Sequence, residues 1–131
     1  MISSQIIQNS LDELKNITKV DLFVYDVSGS IVAATAVMEE ITGYLVSSFA
    51  ESPADSQVIG AYHLLKIHDD GDLLYILIAK GTREDTYMIG KIAVCQIENF
   101  FTSLIIAFLT ILKSVSEFWV FSVCSFCKLN R

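Results

Sequence analysis

The sequence predicts an α+β domain, an antiparallel sheet with flanking helices in the order α-β-β-α-β-β-α, ending on a long helix. Three observations carry this. Residues 73–79, Leu-Leu-Tyr-Ile-Leu-Ile-Ala, form an unbroken apolar run, too short for a globular helix and suited to a central strand covered on both faces. Lys80-Gly81 stops that strand, and Thr82 stands three residues before Asp85. That spacing lets a hydroxyl cap a helix N-terminus, while Glu84 and Asp85 add negative charge where the helix dipole favours it. Finally, Asp69-Asp70-Gly71-Asp72 is a tight-turn signal, and a turn this short joins antiparallel strands, since a parallel crossover needs a dozen residues or more.

The elements follow in chain order. Ser3 or Ser4 caps a first helix with Ile7, Leu11, Leu14 and Ile17 at helical spacing. Residues 20–26 alternate Val20, Leu22 and Val24 on one face with Phe23 and Tyr25 on the other, and Val27-Ser28-Gly29-Ser30 turns the chain into a strand over 31–36. Residues 38–52 carry Ile41, Leu45 and Phe49 at helical spacing, interrupted by Thr42-Gly43 and ended by Ser52-Pro53. A polar loop over 54–57 leads into a long strand over 58–68, then the acidic turn and the central strand. The helix from Thr82 is apolar around most of its circumference, with Lys91 and Glu98 as its polar wedge. A single sheet cannot cover such a helix, so it is expected to pack on a second subunit of a homodimer through Thr86, Gly90, Ala93 and Ile97; the competing reading buries it within one domain.

Length and composition bound the function. A chain of 131 residues has room for one domain with a modest core. Net charge −6 with nine scattered Lys and Arg argues against a nucleic-acid surface. The N-terminus lacks a basic region followed by an apolar core, so a cytoplasmic location is expected. The three cysteines make no disulfide framework and read as reduced thiols.

This order is the plan of PAS, GAF, profilin-like and roadblock-like modules, and the fold is expected to be PAS/GAF-like. The stretches DELKNITKVDLFVYDVSGSIVAAT, SPADSQVIGAYHLLKIHDDGDLLYILIAKG and EDTYMIGKIAVCQIENF resemble the N-terminal sensory region of bacterial carbohydrate-diacid regulators, the PucR-type transcription factors. The resemblance covers roughly residues 1–100. It implies a small-molecule sensor for transcriptional regulation, without the helix-turn-helix that follows in that family. From Phe101 the sequence becomes Phe-, Leu-, Ser- and Cys-rich, which suggests a truncated or frame-shifted product. The expected domains are therefore a sensor over 1–100 and an atypical apolar segment over 101–131.

Catalytic signatures are thin: there is no nucleophile elbow, P-loop or Rossmann glycine pattern, and no enzyme activity, metal or cofactor is expected. Gly29 and Gly71 read as turn glycines. His63 and His68 would point to opposite faces of one regular strand, and the acidic turn lacks the spacing of a calcium loop. Cys124 and Cys127 have C-x-x-C spacing without a second ligand pair. A pocket is the better candidate. A cavity beneath the middle helix would be lined by Ser56, Gln57, Tyr62 and His63, with Lys80 and Arg83 at the last helix's N-terminus. There Arg83 offers a bidentate fork to a small dicarboxylate. Binding would reposition the helix starting at Thr82. The competing reading makes Lys80 and Arg83 a solvated strand end.

Residues 100–127 are long enough to cross a bilayer, but Lys113 and Glu117 lie near the middle. Three readings stand: a membrane-associated segment over 100–123, a buried or self-associating helix, and a read-through tail. Against the sensor stands one other functional class, a roadblock- or profilin-type adaptor that binds another protein and takes no ligand. A cavity under the middle helix favours the sensor; a filled interior favours the adaptor.

Overall fold

A computed structural model describes residues 3–38, 43–101 and 110–111. The chain divides into two compact units, Met1–Asn99 and Phe100–Arg131. In the second unit residues 100, 101, 110 and 111 are helical. The Lys113 and Glu117 pair, Cys124 and Cys127, and most of the stretch read as a membrane span lie outside the described residues. No helix among the described residues is long and apolar enough to cross a membrane.

The first unit is α+β, with five strands in one antiparallel sheet ordered β2-β1-β5-β4-β3. Its elements are α1 (Ser4–Thr18), β1 (Asp21–Asp26), β2 (Ile31–Ala34), α2 (Gly43–Glu51), β3 (Ser56–Ile59), β4 (Tyr62–Asp69) and β5 (Asp72–Lys80), followed by α3 over residues 86–99. β5 is central, bonded to β1 on one side and β4 on the other, and Ile76, Leu77, Ile78 and Ala79 are fully buried. An apolar run with no polar alternation is what two covered faces require.

One strand was hidden in the sequence. The expected long strand over 58–68 is two strands, because Gly60-Ala61 makes a two-residue hairpin loop between Ile59 and Tyr62. Gly60 takes φ +59, and glycine at the first loop position is the requirement of the type II′ turn. Part of the expected polar loop, Ser56 and Gln57, is therefore strand. The β4–β5 turn places both Asp70 and Gly71 at positive φ, the type I′ geometry that Asp-Gly favours.

Each helix sits where a few local contacts put it. Ser3 caps α1, its hydroxyl accepting from the Ile6 amide at 3.3 Å, and Lys19 closes the helix in the left-handed conformation with φ 64. Ile7 and Leu11 are fully buried, but Ile17 at the far end is 79% exposed, so the expected apolar face stops short. α2 lies on one side of the sheet over Phe23, Tyr25, Tyr62, Leu64, Ile76 and Ile78, to which it adds Val46 and Phe49. Leu45, expected on that buried face, is exposed, and Ile41 lies outside the described residues. Gly43 on α2 and Gly29 in the β1–β2 turn meet closely: a Cβ on Gly29 would run into the Gly43 carbonyl, and Gly29 has φ +95. At the other end Lys66 donates to the Ser52 carbonyl, a positive charge at the helix's negative pole. Its ammonium also lies 5.2 Å from the centre of the Phe49 ring.

α3 begins four residues later than the Thr82 signal implies. Residues 82–85 bend and turn instead, the Thr86 amide donating to the Arg83 carbonyl at 3.1 Å. α3 covers the opposite face, to which strand alternation assigns Leu22, Val24, Leu65, Ile67, Leu77 and Ala79. Gly90 lies directly on it: a Cβ there would stand 3.0 Å from Leu65 Cδ1 and 3.3 Å from Ala79 Cβ.

Candidate functional site

The residues expected to line one pocket are in different places. Ser56 and Gln57 are exposed on β3. Tyr62 is buried on the α2 side, with the Lys80 ammonium 5.6 Å from its ring centre. His63 follows it on the strand and so faces the other way; its ring centre is 6.2 Å from that of Tyr87 on α3. Its Nδ1 is buried with no hydrogen-bond partner among the described residues. The space expected to hold a ligand is filled, because Phe23, Tyr25, Phe49 and Tyr62 pack together between α2 and the sheet. A groove of about 200 Å³ lies elsewhere, between β4 and α3, where Asp55, His68, Lys91, Cys95 and Glu98 stand around Leu65 and Val94. None of the six expected ligand residues lines it.

Arg83 is already engaged. Its Nε and Nη2 donate to the two carboxylate oxygens of Asp85 at 2.9 and 2.7 Å, and its Nη1 donates to the Thr18 carbonyl at the end of α1 at 3.0 Å. The hydrogen bond and charge of Asp85 raise the Arg83 pKa, and the same hydrogen bond lowers that of Asp85. The fork expected to hold a dicarboxylate thus holds a neighbouring side chain and ties α1 to the start of α3.

The expected helix seam is corrected in the same way. Thr86, Ala93 and Ile97 are fully buried and Gly90 is buried with them, and Gly90 rests on the chain's own sheet. Small residues there admit the chain's own strands, which leaves Met88, Ile92 and Cys95 on the exposed side of α3.

His63 and His68 do not sit on one regular strand, since the ladder shifts register between Ile67 and His68. Among the described residues no group of three His, Cys, Asp or Glu is placed to hold a metal.

What the fold leaves available is a sheet edge. Among the described residues β3 pairs only with β4, so one side of its backbone is unpaired. Its sequence, Ser-Gln-Val-Ile, carries no charge and no proline, and Val58 is 59% exposed. Uncharged open edges are templates for another strand. α2 shows exposed apolar side chains too, with Tyr44 at 78%. The signal for this edge was Gly60, which divides the apparent long strand and leaves the short β3 at the rim.

No family model matches the chain, and no curated protein matches it. Its fold is similar to that of a solved structure, Myxococcus xanthus MglB. The TM-score is 0.55 with 17% identical residues, over 79% of this chain and 93% of that one. The likeness concerns the fold alone. It fits a roadblock/MglB-like arrangement of five antiparallel strands and three helices, and it overturns the expected sensor module of a PucR-type diacid regulator, whose ligand role finds no support in this neighbour.

Proposed function

We propose that this chain is a protein-interaction adaptor of roadblock type, without catalytic activity, that joins another polypeptide along the β3 edge of its sheet. The single observation that carries this reading is the uncharged, half-unpaired β3 with Val58 exposed upon it. A strand added there would satisfy backbone groups that otherwise face water, and flanking side chains would supply selectivity. The simplest occupant is β3 of a second copy, running antiparallel across a two-fold axis, because an isologous edge presents the same donors and acceptors to itself. Tyr44 and Leu45 on α2 add apolar surface of the kind such interfaces use. The likeness in fold to MglB supports the adaptor class.

The test is the mass of the full chain in solution, by light scattering across a concentration series, for wild type and Val58→Lys. A lysine on an edge strand opposes pairing. The reading expects a wild-type dimer and a Val58→Lys monomer with unchanged circular dichroism. A wild type that is monomeric throughout, or a dimer indifferent to Val58→Lys, contradicts it.

A further inference from the structure

The sheet has a second rim, and it is treated differently. β2 lies at the opposite end of the strand order from β3, and its sequence, Ile-Val-Ala-Ala, is also uncharged and free of proline. By composition it is as hazardous an edge as β3. Yet a side chain from α1 occupies it. Gln8 Nε2 donates to the Ala34 carbonyl at 2.7 Å, and Gln8 Oε1 accepts from the Ala34 amide at 3.0 Å. A carboxamide carries the same donor and acceptor as a peptide unit, so Gln8 fills the position that a neighbouring strand's backbone would take. It is well braced: Nε2 also donates to Asp12 Oδ1 at 3.0 Å, and the preceding residue, Ile7, is fully buried.

A parallel device stands on β4. Beyond Lys66, whose amide donates to the Asp55 carbonyl, β3 no longer runs alongside, and the next bond at that rim comes from α3: the His68 amide donates to Glu98 Oε2 at 2.9 Å. Among the described residues no side-chain hydrogen bond reaches β3 itself.

We infer that Gln8 is a guard on the outer edge of β2, and that the occupant it excludes is β2 of a second copy of this chain. The strand is short, uncharged and ends in two alanines, so two copies could approach antiparallel with neither charge repulsion nor bulk between them. With Gln8 in place, pairing is confined to the β3 rim and closes at two copies. Without it, each dimer carries two open β2 edges and grows by their pairing into an open-ended sheet. The guard role stands on the Gln8 hydrogen bonds alone; only the open-ended size rests on the proposed β3 pairing.

The experiment compares full-length wild type, Gln8→Ala, Gln8→Glu and the control Gln5→Ala by sedimentation velocity across concentration, alone and in a Val58→Lys background. Gln5 Nε2 donates to Asn9 Oδ1 on the helix surface, away from β2. Gln8→Ala is expected to add a concentration-dependent association absent from wild type and Gln5→Ala, with amide-exchange protection gained over residues 31–35. In the Val58→Lys background that association should stop at two copies. Gln8→Glu, which accepts from Ala34 but cannot donate to its carbonyl when ionised, should behave as Gln8→Ala does, and it decides the question should Gln8→Ala not fold. In the wild type the Ala34 amide should exchange as slowly as the core strands. A folded Gln8→Ala or Gln8→Glu of wild-type size at every concentration overturns the inference, as does association without protection over residues 31–35, or a rapidly exchanging Ala34 amide in the wild type. Association of Gln8→Ala alongside indifference to Val58→Lys would uphold the guard and remove the β3 reading.

Discussion

The two faces of the sheet are buried by opposite means. One is covered by α2, and the aromatic bulk of Phe23, Tyr25, Phe49 and Tyr62 fills the space. The other is covered by α3, which comes close through Gly90, set against Leu65 on β4 and Ala79 on β5. Aromatic bulk fills one side, and close backbone approach closes the other. The small residues of α3 are thereby spent inside the chain.

The comparison yields a ranked set of expected effects. Phe49→Ala should cost most, about 3–5 kcal/mol, because truncating a buried aromatic at the centre of this cluster leaves a cavity. Gly90→Leu should cost roughly 1–3 kcal/mol by overpacking, since even a Cβ there stands 3.0 Å from Leu65. Denaturant melts measure both. The Gly90 loss should be independent of protein concentration, as an internal contact requires; a loss confined to the concentrations at which the chain associates would move Gly90 back to an intersubunit seam.

Acid should separate the faces more gently. Burial pushes the Asp21 carboxyl up, but hydrogen bonds from Lys15 and Thr35 and the charges of Lys15 and Lys80 prevail and hold its pKa below the ordinary value. Lys15 Nζ lies 2.6 Å from Asp21 Oδ1, tying α1 to β1. In the β1–β2 turn, the Ser28 hydroxyl and then the amides of Ser30, Ser28 and Gly29 lower Asp26 against a small effect of burial. Both groups have folded pKa values below their unfolded ones. Their stabilisation is present above the unfolded carboxylate pKa of about 3.9 and is lost as pH falls through the folded values. Melts from pH 7 to pH 2 should therefore fall off less steeply in Asp21→Asn than in wild type, and an unchanged slope would count against the α1 anchor.

How far these features could be read from sequence depends on the range of the interaction that makes each. The central strand, the Asp70-Gly71 turn and the Ser3 cap are local, and residues 73–79, 69–72 and 3–6 carry their own signals. β3 was missed because Val58-Ile59 and Tyr62 are apolar on both sides of Gly60, so the run looks continuous unless that glycine is taken as a turn. The pocket failed for a different reason: nothing in Ser56, Gln57, Tyr62 or His63 tells that aromatic side chains from three elements, β1, α2 and β4, meet there. Gln8 left no trace at all. A glutamine beside a buried helix stripe reads as solvated, and only its position over Ala34, 26 residues away, gives it a task. The Arg83 fork is legible in the sequence, but its partner is local, Asp85 two residues on.

The most direct test of the account is amide exchange of the full chain at low and high protein concentration, read separately over β3, β2 and α3. Recognition at the β3 rim predicts that protection over residues 55–59 rises with concentration while residues 31–35, whose outer edge Gln8 occupies at Ala34, stay constant. Protection that grows instead over residues 87–95, with β3 unchanged, would place association on the exposed side of α3 and contradict it.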